Sequence, residues 1–116
     1  MKQKSNKQVI KKKSEFRFRK IETINKRGRK RMIRHPTYIF YEKGNLYIYV
    51  PLTHSSKVTN RVVIRLRINP NPRDPQLSYR VKEVSEDTKD RFGRRRKGWK
   101  MDKQDDLDIR EEYKKR

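Results

Sequence analysis

Two histidines and a short run of hydroxyl side chains are the groups in this 116-residue sequence that are best suited to move protons. His35 stands before a proline, and Thr53, His54 and Ser55 follow an alternating apolar run. Histidine has an unperturbed pKa near neutrality, so it can act as a base or an acid. With cations nearby, such groups could cleave a phosphodiester without a metal, because cations stabilise the charge that develops on the phosphoryl oxygens. The same side chains could equally cap turns, as hydroxyl residues at strand ends commonly do.

Positive charge dominates the composition around these residues. Lysine and arginine number 35 against 14 aspartate and glutamate, which gives a net charge of +21. More than half of the excess lies in residues 1–34, where 15 basic and 2 acidic side chains leave +13. A field of this sign attracts phosphate and opposes folding. The sequence therefore predicts a polyanionic partner, and nucleic acid is the polyanion that such a pattern typically binds.

Composition also argues against several functional classes. The sequence has no run of 18 or more apolar residues, so we expect no membrane-spanning segment and no membrane partner. It has no cysteine, which argues against disulfides and fits a reducing, cytoplasmic location. Its four glycines do not form a phosphate-binding loop, and its histidines and carboxylates lack metal-ligand spacing. We therefore predict no metal and no cofactor.

The charge pattern divides the chain into three predicted regions. Residues 1–34 form a basic, largely disordered arm, since their apolar residues are too sparse to bury much surface. Residues 35–84 form a small β domain, because Tyr, Ile, Val and Leu alternate between breaks at Gly, Asn and Pro. Residues 85–116 form a charged tail with a short helix that Asp102 could cap. The predicted fold is mainly β, a small barrel or a strongly bent antiparallel sheet.

Four strand-forming segments follow one another in and beside the predicted domain. The first two form a hairpin whose turn contains Gly44 and Asn45, residues that tolerate positive φ. Prolines after the third segment end it, because proline cannot supply a ladder donor. The predicted strand ranges are 38–41, 46–52, 61–68 and about 77–84.

Side-chain alternation assigns a face to each residue of these strands. The aliphatic residues of the second strand point one way and form the core, whereas Tyr47 and Tyr49 point the other way, beside arginines of the later strands. Rings next to guanidinium groups suit single-stranded RNA, since bases stack on rings while cations follow the phosphates. The two tyrosines could also be ordinary cross-strand aromatics. The predicted nucleic-acid contacts are Arg27, Arg29, Lys30, Arg31, Arg34, Tyr47, Tyr49, Lys57, Arg61, Arg65, Arg67, Arg80, Lys82, Arg94, Arg95 and Arg96.

Strand pairing predicts that the candidate catalytic residues lie close together. In an antiparallel hairpin the start of one strand lies beside the end of its partner. We therefore expect His35 to lie near Thr53, His54 and Ser55. Basic residues flank both segments, so cations for a developing phosphorane charge are also at hand.

The segments that carry these residues resemble a known family. The sequence RHPTYIF at residues 34–40 and the sequence YIYVPLTHS at residues 47–55 are similar to two elements of MazF/PemK-type toxins. In that family an arginine and a proline precede one hydrophobic strand, and a Pro-x-Thr-Ser sequence follows another. The resemblance extends over residues 34–82.

The resemblance implies a fold and an activity. It implies a small SH3-like barrel, usually dimeric, that cleaves single-stranded RNA without a metal. Arg34 or His35 would stand where the family has its strand-leading arginine, and Thr53 and Ser55 where it has its Thr/Ser pair. This sequence differs in that His35 follows Arg34 directly and His54 separates the two hydroxyl residues.

Three functional hypotheses follow from the charge, the strand faces and the resemblance. The first is an RNA-binding protein, with metal-independent endoribonuclease activity of the MazF/PemK type as its catalytic form. The alternative is a non-catalytic accessory, structural or inhibitory component of a ribonucleoprotein complex, such as a ribosome or a CRISPR effector. The third is a duplex-DNA binder, which the sequence favours less because it shows no helix-turn-helix pattern.

Overall fold

The computed structural model describes residues 9–115, which form one antiparallel sheet followed by a helix. The strands are β1 (Ile10–Ile24), β2 (Lys30–Lys43), β3 (Leu46–Thr53), β4 (Val63–Arg65), β5 (Tyr79–Val81) and β6 (Ser85–Thr88). A single 3-10 turn covers Lys89–Arg91, and the helix α1 covers Lys103–Lys114. The predicted mainly β fold with a short C-terminal helix is confirmed.

Strand β3 is the centre of the sheet because three strands pair with it. The strand order is β1-β2-β3-β5-β4, and β6 pairs with β3 outside this path. One part of β3, residues 46–49, pairs with β6, whereas residues 52–53 pair with β5. Since β1 and β4 are the two ends of the path, the sheet is not closed. A barrel-like sheet and a strongly bent open sheet, the two forms of the prediction, are both consistent with this topology.

The hairpin between β2 and β3 forms as the sequence predicts. Lys43 pairs with Leu46, which leaves Gly44 and Asn45 as a two-residue turn. Gly44 has a φ of 57°, a left-handed conformation that a residue with a Cβ adopts only at some cost. The turn therefore sets the register that places alternate residues of β3 on opposite faces of the sheet.

The main hydrophobic cluster joins the sheet to α1. Its buried members are Phe16, Tyr38, Phe40, Ile48, Val50, Leu52, Leu66, Met101 and Ile109. Trp99 packs against this cluster, with its ring centroid 5.6 Å from that of Phe16. The segment that precedes α1 is thus held to the sheet by an aromatic contact, as expected for a lone tryptophan.

The helix begins where the sequence predicts its cap. The Asp102 side chain accepts hydrogen bonds from the backbone N–H groups of Gln104 and Asp105, at 3.1 and 3.2 Å. These bonds satisfy two of the donors that a helix N-terminus leaves without intrahelical partners.

Two arginines attach α1 to the strands. Arg80 of β5 donates from its two terminal nitrogens to the two carboxylate oxygens of Glu112, at 3.0 and 3.1 Å. Arg110 donates to the carbonyl of Phe40 at 2.8 Å and to the Asp106 carboxylate at 2.9 Å. Both arginines are buried, so paired charges as well as apolar packing hold the helix in place.

The predicted division of the chain needs two corrections. Residues 10–34 lie inside the predicted disordered arm, yet they form β1 and the first part of β2, paired as far as Ile24 and Lys30. Their apolar residues are sparse but alternate, and cross-strand pairing supplies contacts that no single segment reveals. Residues 1–8 of the arm lie outside the described residues. The predicted tail also contributes to the sheet, because β6 pairs with β3.

The third and fourth predicted strands are shorter than expected. They shrink to Val63–Arg65 and Tyr79–Val81. A turn occupies residues 58–61. In the proline-rich loop that follows β4, backbone groups form hydrogen bonds within the loop, so they are not available to a neighbouring strand. At the ends of the predicted ranges, the side chains of Val62, Ile68 and Leu77 are 63, 61 and 52% exposed and do not belong to the core.

Replacing Ile109 with alanine should destabilise the domain by about 2–5 kcal/mol, since Ile109 is 1% exposed and its loss opens a cavity between α1 and the sheet. The matched control is Leu107→Ala on the same helix, where the side chain is 47% exposed. We expect that control to change the free energy of unfolding by less than about 0.5 kcal/mol. Urea unfolding measures both. Equal effects would show that α1 does not pack on the sheet as described.

Candidate nucleic-acid interface

A long basic hairpin extends beyond the body of the sheet. β2 pairs with β3 only from Thr37 to Lys43, whereas β1 and β2 pair with each other as far as the turn at residues 25–29. We call residues 20–34 the ribbon, because among the described residues no third strand pairs with them. The ribbon carries seven basic side chains and one acidic side chain, a net charge of +6. Five residues per strand give it a length of about 15 Å.

The tip of the ribbon is an ordered turn. The N–H of Asn25 donates to the carbonyl of Arg29 at 2.9 Å, and the N–H of Gly28 donates to the carbonyl of Asn25 at 2.9 Å. Gly28 has a φ of 77°, which supplies the left-handed residue of a three-residue hairpin loop. The Asn25 side chain accepts from the backbone N–H groups of Arg27 and Arg29, both at 2.9 Å. The exposed cations of the tip are therefore presented on a fixed backbone.

Cations lie on both faces of the ribbon. Directly paired residues of an antiparallel ladder share a face. By the pairing of β1 with β2, Lys20, Lys30 and Arg34 lie on one face and Arg31 lies on the other. The ribbon is thus not a flat charged surface but a charged projection.

These cations have no carboxylate partners in the part of the chain that the structure describes. Several arginines of the body do have such partners, among them Arg67, Arg80 and Arg110. Among residues 9–115, no Asp or Glu oxygen lies within 4.0 Å of Lys26, Arg27, Arg29, Lys30, Arg31 or Arg34.

Two of the predicted nucleic-acid contacts, Arg80 and Arg67, form ion pairs within the protein. Arg80 is 2% exposed and bonded to Glu112, so it cannot reach a ligand. Arg67 donates to the Asp105 carboxylate at 2.6 Å. The prediction placed both arginines on a solvated sheet face. Both instead pair with acidic residues of α1, and Arg80 is buried there, whereas the Arg67 side chain remains 53% exposed. Arg61 is only loosely paired, at 3.5 Å from a glutamate oxygen.

The predicted stacking surface of Tyr47 and Tyr49 is also corrected by the structure. The two tyrosines are 8 and 3% exposed, because Phe92 packs edge-on against both rings at centroid distances of 5.1 and 5.3 Å. The guanidinium groups of Arg17 and Arg19 lie 5.5 and 5.6 Å from the ring centroids of Tyr47 and Tyr49. These tyrosines are the cross-strand aromatics of a second cluster, and their rings are not open to a base.

The basic segment after Phe92 follows the outer edge of β1. The N–H of Gly93 donates to the carbonyl of Phe18 at 2.9 Å, and the N–H of Arg96 donates to the carbonyl of Phe16 at 2.7 Å. These bonds use backbone acceptors that an edge strand otherwise leaves open. They also bring a predicted cationic run to the base of the ribbon.

A basic groove results where this segment meets the ribbon. Arg96 holds its guanidinium carbon 5.2 Å from the ring centroid of Phe18 and 5.8 Å from that of Trp99. Arg96 is exposed, and an exposed guanidinium group held over aromatic rings can itself stack on an unpaired base. We call the groove, with a volume of about 430 Å³, the root groove; it is lined by Phe18, Arg34, Gly93, Arg94 and Arg96.

The other predicted contacts lie on several elements. Lys57 is in the loop after β3, Arg65 is in β4, and Lys82 follows β5. Arg95 lies next to the root groove, in a surface depression beside Trp99. All four side chains are exposed, but the structure does not gather them into one site with the ribbon.

The candidate catalytic residues around His54 make hydrogen bonds within their own loop and to the proline-rich loop that follows β4. Thr53 Oγ1 accepts from the N–H of Ser55 at 3.1 Å, and Ser55 Oγ donates to the carbonyl of Lys57 at 2.5 Å. His54 places Nε2 at 2.9 Å from the Asp74 carboxylate and Nδ1 at 3.0 Å from a backbone carbonyl. The hydroxyl contacts are those expected of turn-capping residues, whereas the His54 ring joins two loops that are distant in sequence.

His35 has different surroundings. Its Nδ1 lies 3.3 Å from the carbonyl of Pro36, and its ring lines a cavity with Arg19 and Arg61. Burial lowers the pKa of His35, and the two nearby guanidinium groups lower it further. The imidazole is therefore neutral at pH 7. Within the described residues, no hydrogen bond links it to Thr53, His54 or Ser55, so the predicted catalytic group is not assembled by direct contacts.

Two further properties bear on the site. Over residues 9–115, no cluster of three or more His, Cys, Asp or Glu side chains is arranged to hold a metal ion. No helix in that range has the length and apolarity needed to span a membrane.

Sequence reasoning missed the residues that shape the interface. Asn25 and Gly28 fix the tip, and their Asn-x-x-Gly spacing between two alternating segments is the signal that would have indicated a hairpin. Phe18 and Trp99 form the aromatic floor beneath Arg96. Nothing in the sequence indicates that residues so far apart meet.

Replacing Asn25 with alanine should loosen the tip without destabilising the domain. The change removes the acceptor of two backbone N–H groups, each bond being worth ~1 kcal/mol, so amide exchange at Arg27 and Arg29 should accelerate about fivefold. Hydrogen exchange followed by NMR measures this. Lys26→Ala alters the same turn without removing a backbone bond and should leave these rates unchanged. Unaltered exchange in Asn25→Ala would contradict an ordered tip.

No protein-family model, no curated protein sequence and no solved structure matches this chain. The resemblance of residues 34–82 to MazF/PemK-type toxins therefore stays a prediction.

Proposed function

We propose that this protein binds folded RNA by inserting the ribbon between phosphate-bearing strands. The observation that supports the proposal is the set of unpaired cations on both faces of the ribbon and at its tip. Cations that lack internal partners remain available to neutralise phosphates and to release the counterions that those phosphates hold.

The distribution of charge favours a groove or crevice over an extended strand. A single strand on a flat surface offers phosphates to one side of a protein. The ribbon carries Lys20, Lys30 and Arg34 on one face and Arg31 on the other, so it can use phosphates on two sides at once. Such surroundings occur in the grooves of duplexes and in the crevices of folded RNA.

The root groove favours RNA within that class. It offers the guanidinium plane of Arg96, supported by Phe18 and Trp99, at the point where the ribbon leaves the sheet. Sequence-specific recognition of RNA commonly uses bases splayed out of loops and bulges and stacked on rings or guanidinium planes. A folded RNA supplies a paired stem for the ribbon and an unpaired base for the root groove.

Duplex DNA is the second candidate, and the shape of the ribbon favours it. A two-stranded ribbon is one of the elements that the major groove of B-form DNA admits. The alternative of a ribonucleoprotein component is a special case of the RNA proposal, in which the crevice belongs to a defined assembly. Co-purification with one such complex would support it over binding to generic RNA.

Removing the ribbon cations should weaken RNA binding more than removing the same charge elsewhere. In the triple variant R27Q/R29Q/R31Q the slope of log affinity against log salt should fall by about 2–3, since each phosphate contact contributes about 0.7–0.9. Fluorescence anisotropy with a labelled RNA stem-loop measures the slope. The matched control K57Q/R65Q/K82Q also lowers the net charge from +21 to +18 but leaves the ribbon intact. Equal slopes in the two variants would place binding outside the ribbon.

Ligand preference separates the candidate functions. We expect an RNA stem-loop with an unpaired loop to bind more tightly than single-stranded RNA of equal length and than duplex DNA at the same ionic strength. Anisotropy competition in EDTA measures the order. Tighter binding of duplex DNA would favour the second candidate.

The same samples test the catalytic hypothesis. From the contacts of Thr53, His54 and Ser55 we expect intact RNA in EDTA, retarded as a complex on a native gel. Cleavage that is lost in His35→Ala or His54→Ala would instead support the metal-independent endoribonuclease that the family resemblance implies.

A further inference from the structure

A cavity of about 350 Å³ lies at the base of the ribbon, on the face opposite to the root groove. Arg19 and His35 are paired across β1 and β2 and form one wall, and Arg61 reaches the cavity from the turn before β4. Its volume falls within the range of small-molecule pockets, about 300–1,000 Å³. Neither the proposed ribbon contacts nor the root groove uses this space.

The two arginines of the cavity keep donors for a ligand. Arg19 bonds to Asp87 through Nε at 2.7 Å, and among the described residues its Nη1 and Nη2 have no hydrogen-bond acceptor. Arg61 makes only a long contact from Nη2, 3.5 Å from the Glu83 carboxylate. The remaining guanidinium N–H groups are in the fork geometry that binds phosphate oxygens.

The fold holds the side chain of Arg19 and the backbone of Arg61. The guanidinium carbon of Arg19 lies 5.6 Å from the ring centroid of Tyr49, which is buried. The backbone N–H of Arg61 donates to the carbonyl of Val58 at 3.1 Å, closing a turn in which Asn60 has a φ of 61°. An anion that binds here would meet the preorganised guanidinium group of Arg19 and the exposed, loosely paired side chain of Arg61.

The remaining lining suits the rest of a nucleotide. Pro51, Val58 and Val81 give the cavity an apolar wall against which a base can pack. The exposed carboxylate of Glu86 on the same lining can accept a hydrogen bond from a ribose hydroxyl or a base amino group. His35 is neutral and half-buried, so it adds a hydrogen-bonding group without a fixed charge.

We propose that this cavity binds a single unstacked nucleotide of the RNA, with its phosphate on Arg19 and Arg61 and its base against the apolar wall. The proposal rests on the proposed function, because a nucleotide at the base of the ribbon would belong to the strand that the ribbon engages. The cavity would recognise one nucleotide of the RNA by its base, in addition to the ribbon contacts, which recognise only phosphate charge.

The test is titration of the full chain with uridine 5′-monophosphate, followed through the imidazole resonances of His35 by NMR. Bound phosphate should raise the pKa of His35, because a nearby anion favours the protonated ring. Uridine without phosphate should bind at least about tenfold more weakly, since hydrogen bonds to charged groups are worth about 1.5–3 kcal/mol.

Substitutions test whether the nucleotide binds in this cavity. Arg61→Ala should weaken nucleotide binding about tenfold through loss of one charged partner. Arg65→Ala removes another exposed arginine and should change nothing. The triple variant R27Q/R29Q/R31Q should also bind the nucleotide normally, because a mononucleotide does not reach the tip. Failure of the pocket is therefore distinguishable from failure of the ribbon.

Three outcomes would overturn the proposal. One is the absence of saturable binding below a concentration on the order of 10 mM. Another is equal loss of affinity in Arg61→Ala and Arg65→Ala. The third is inorganic phosphate that binds as tightly as the nucleotide, since the base would then contribute nothing. The phosphate titration is done on the unaltered chain, so it remains decisive if Arg61→Ala does not fold.

Discussion

Ion pairs between the acidic C-terminal residues and arginines of the chain are the interaction on which the rest of the structure depends. A net charge of +21 opposes compaction, and the main hydrophobic cluster is completed only when Ile109 of α1 closes over the sheet. The helix is held there by the ion pair of Glu112 with Arg80 of β5 and by Arg110, whose guanidinium group donates to the carbonyl of Phe40. Replacing one member of such a pair by an uncharged residue would leave the other charge buried without a partner. The resulting loss of stability is far larger than the contribution of an exposed ion pair.

The same pairs determine which cations remain for a ligand. Asp105 is bonded to Arg67, and Asp87 is bonded to Arg19, so acidic residues of the C-terminal third neutralise arginines of the body. The ribbon receives no such partners within the described residues. The charge that makes folding difficult is therefore divided into a paired part that helps to assemble the domain and an unpaired part that includes the ribbon.

Much of the fold could be predicted from the sequence because it depends on local patterns. Alternation and the Gly44-Asn45 turn predict the β2–β3 hairpin, and the Asp102 cap predicts the start of α1. The site was less predictable because it depends on pairings that are distant in sequence. Alternation correctly places Tyr47 and Tyr49 away from the main core, but only the return of the chain at Phe92 decides that this face is covered. The net charge of the sequence likewise indicates a nucleic-acid partner, but it does not reveal which arginines are paired with carboxylates in the folded protein.

The ribbon itself is the element with the least intrinsic stability, and this bears on how it would act. An isolated two-stranded hairpin is marginally stable in water, and this one leaves Ile24 and Met32 exposed at 68 and 58% while like charges repel along it. Its register is maintained by the ordered turn at Gly28 and by attachment to the sheet at its base. Phosphates on both faces would remove the repulsion that opposes this register, so binding and ordering of the ribbon would stabilise each other. Because the hydrogen-bonded turn already orders the tip, bound phosphates would strengthen a register that is set before binding.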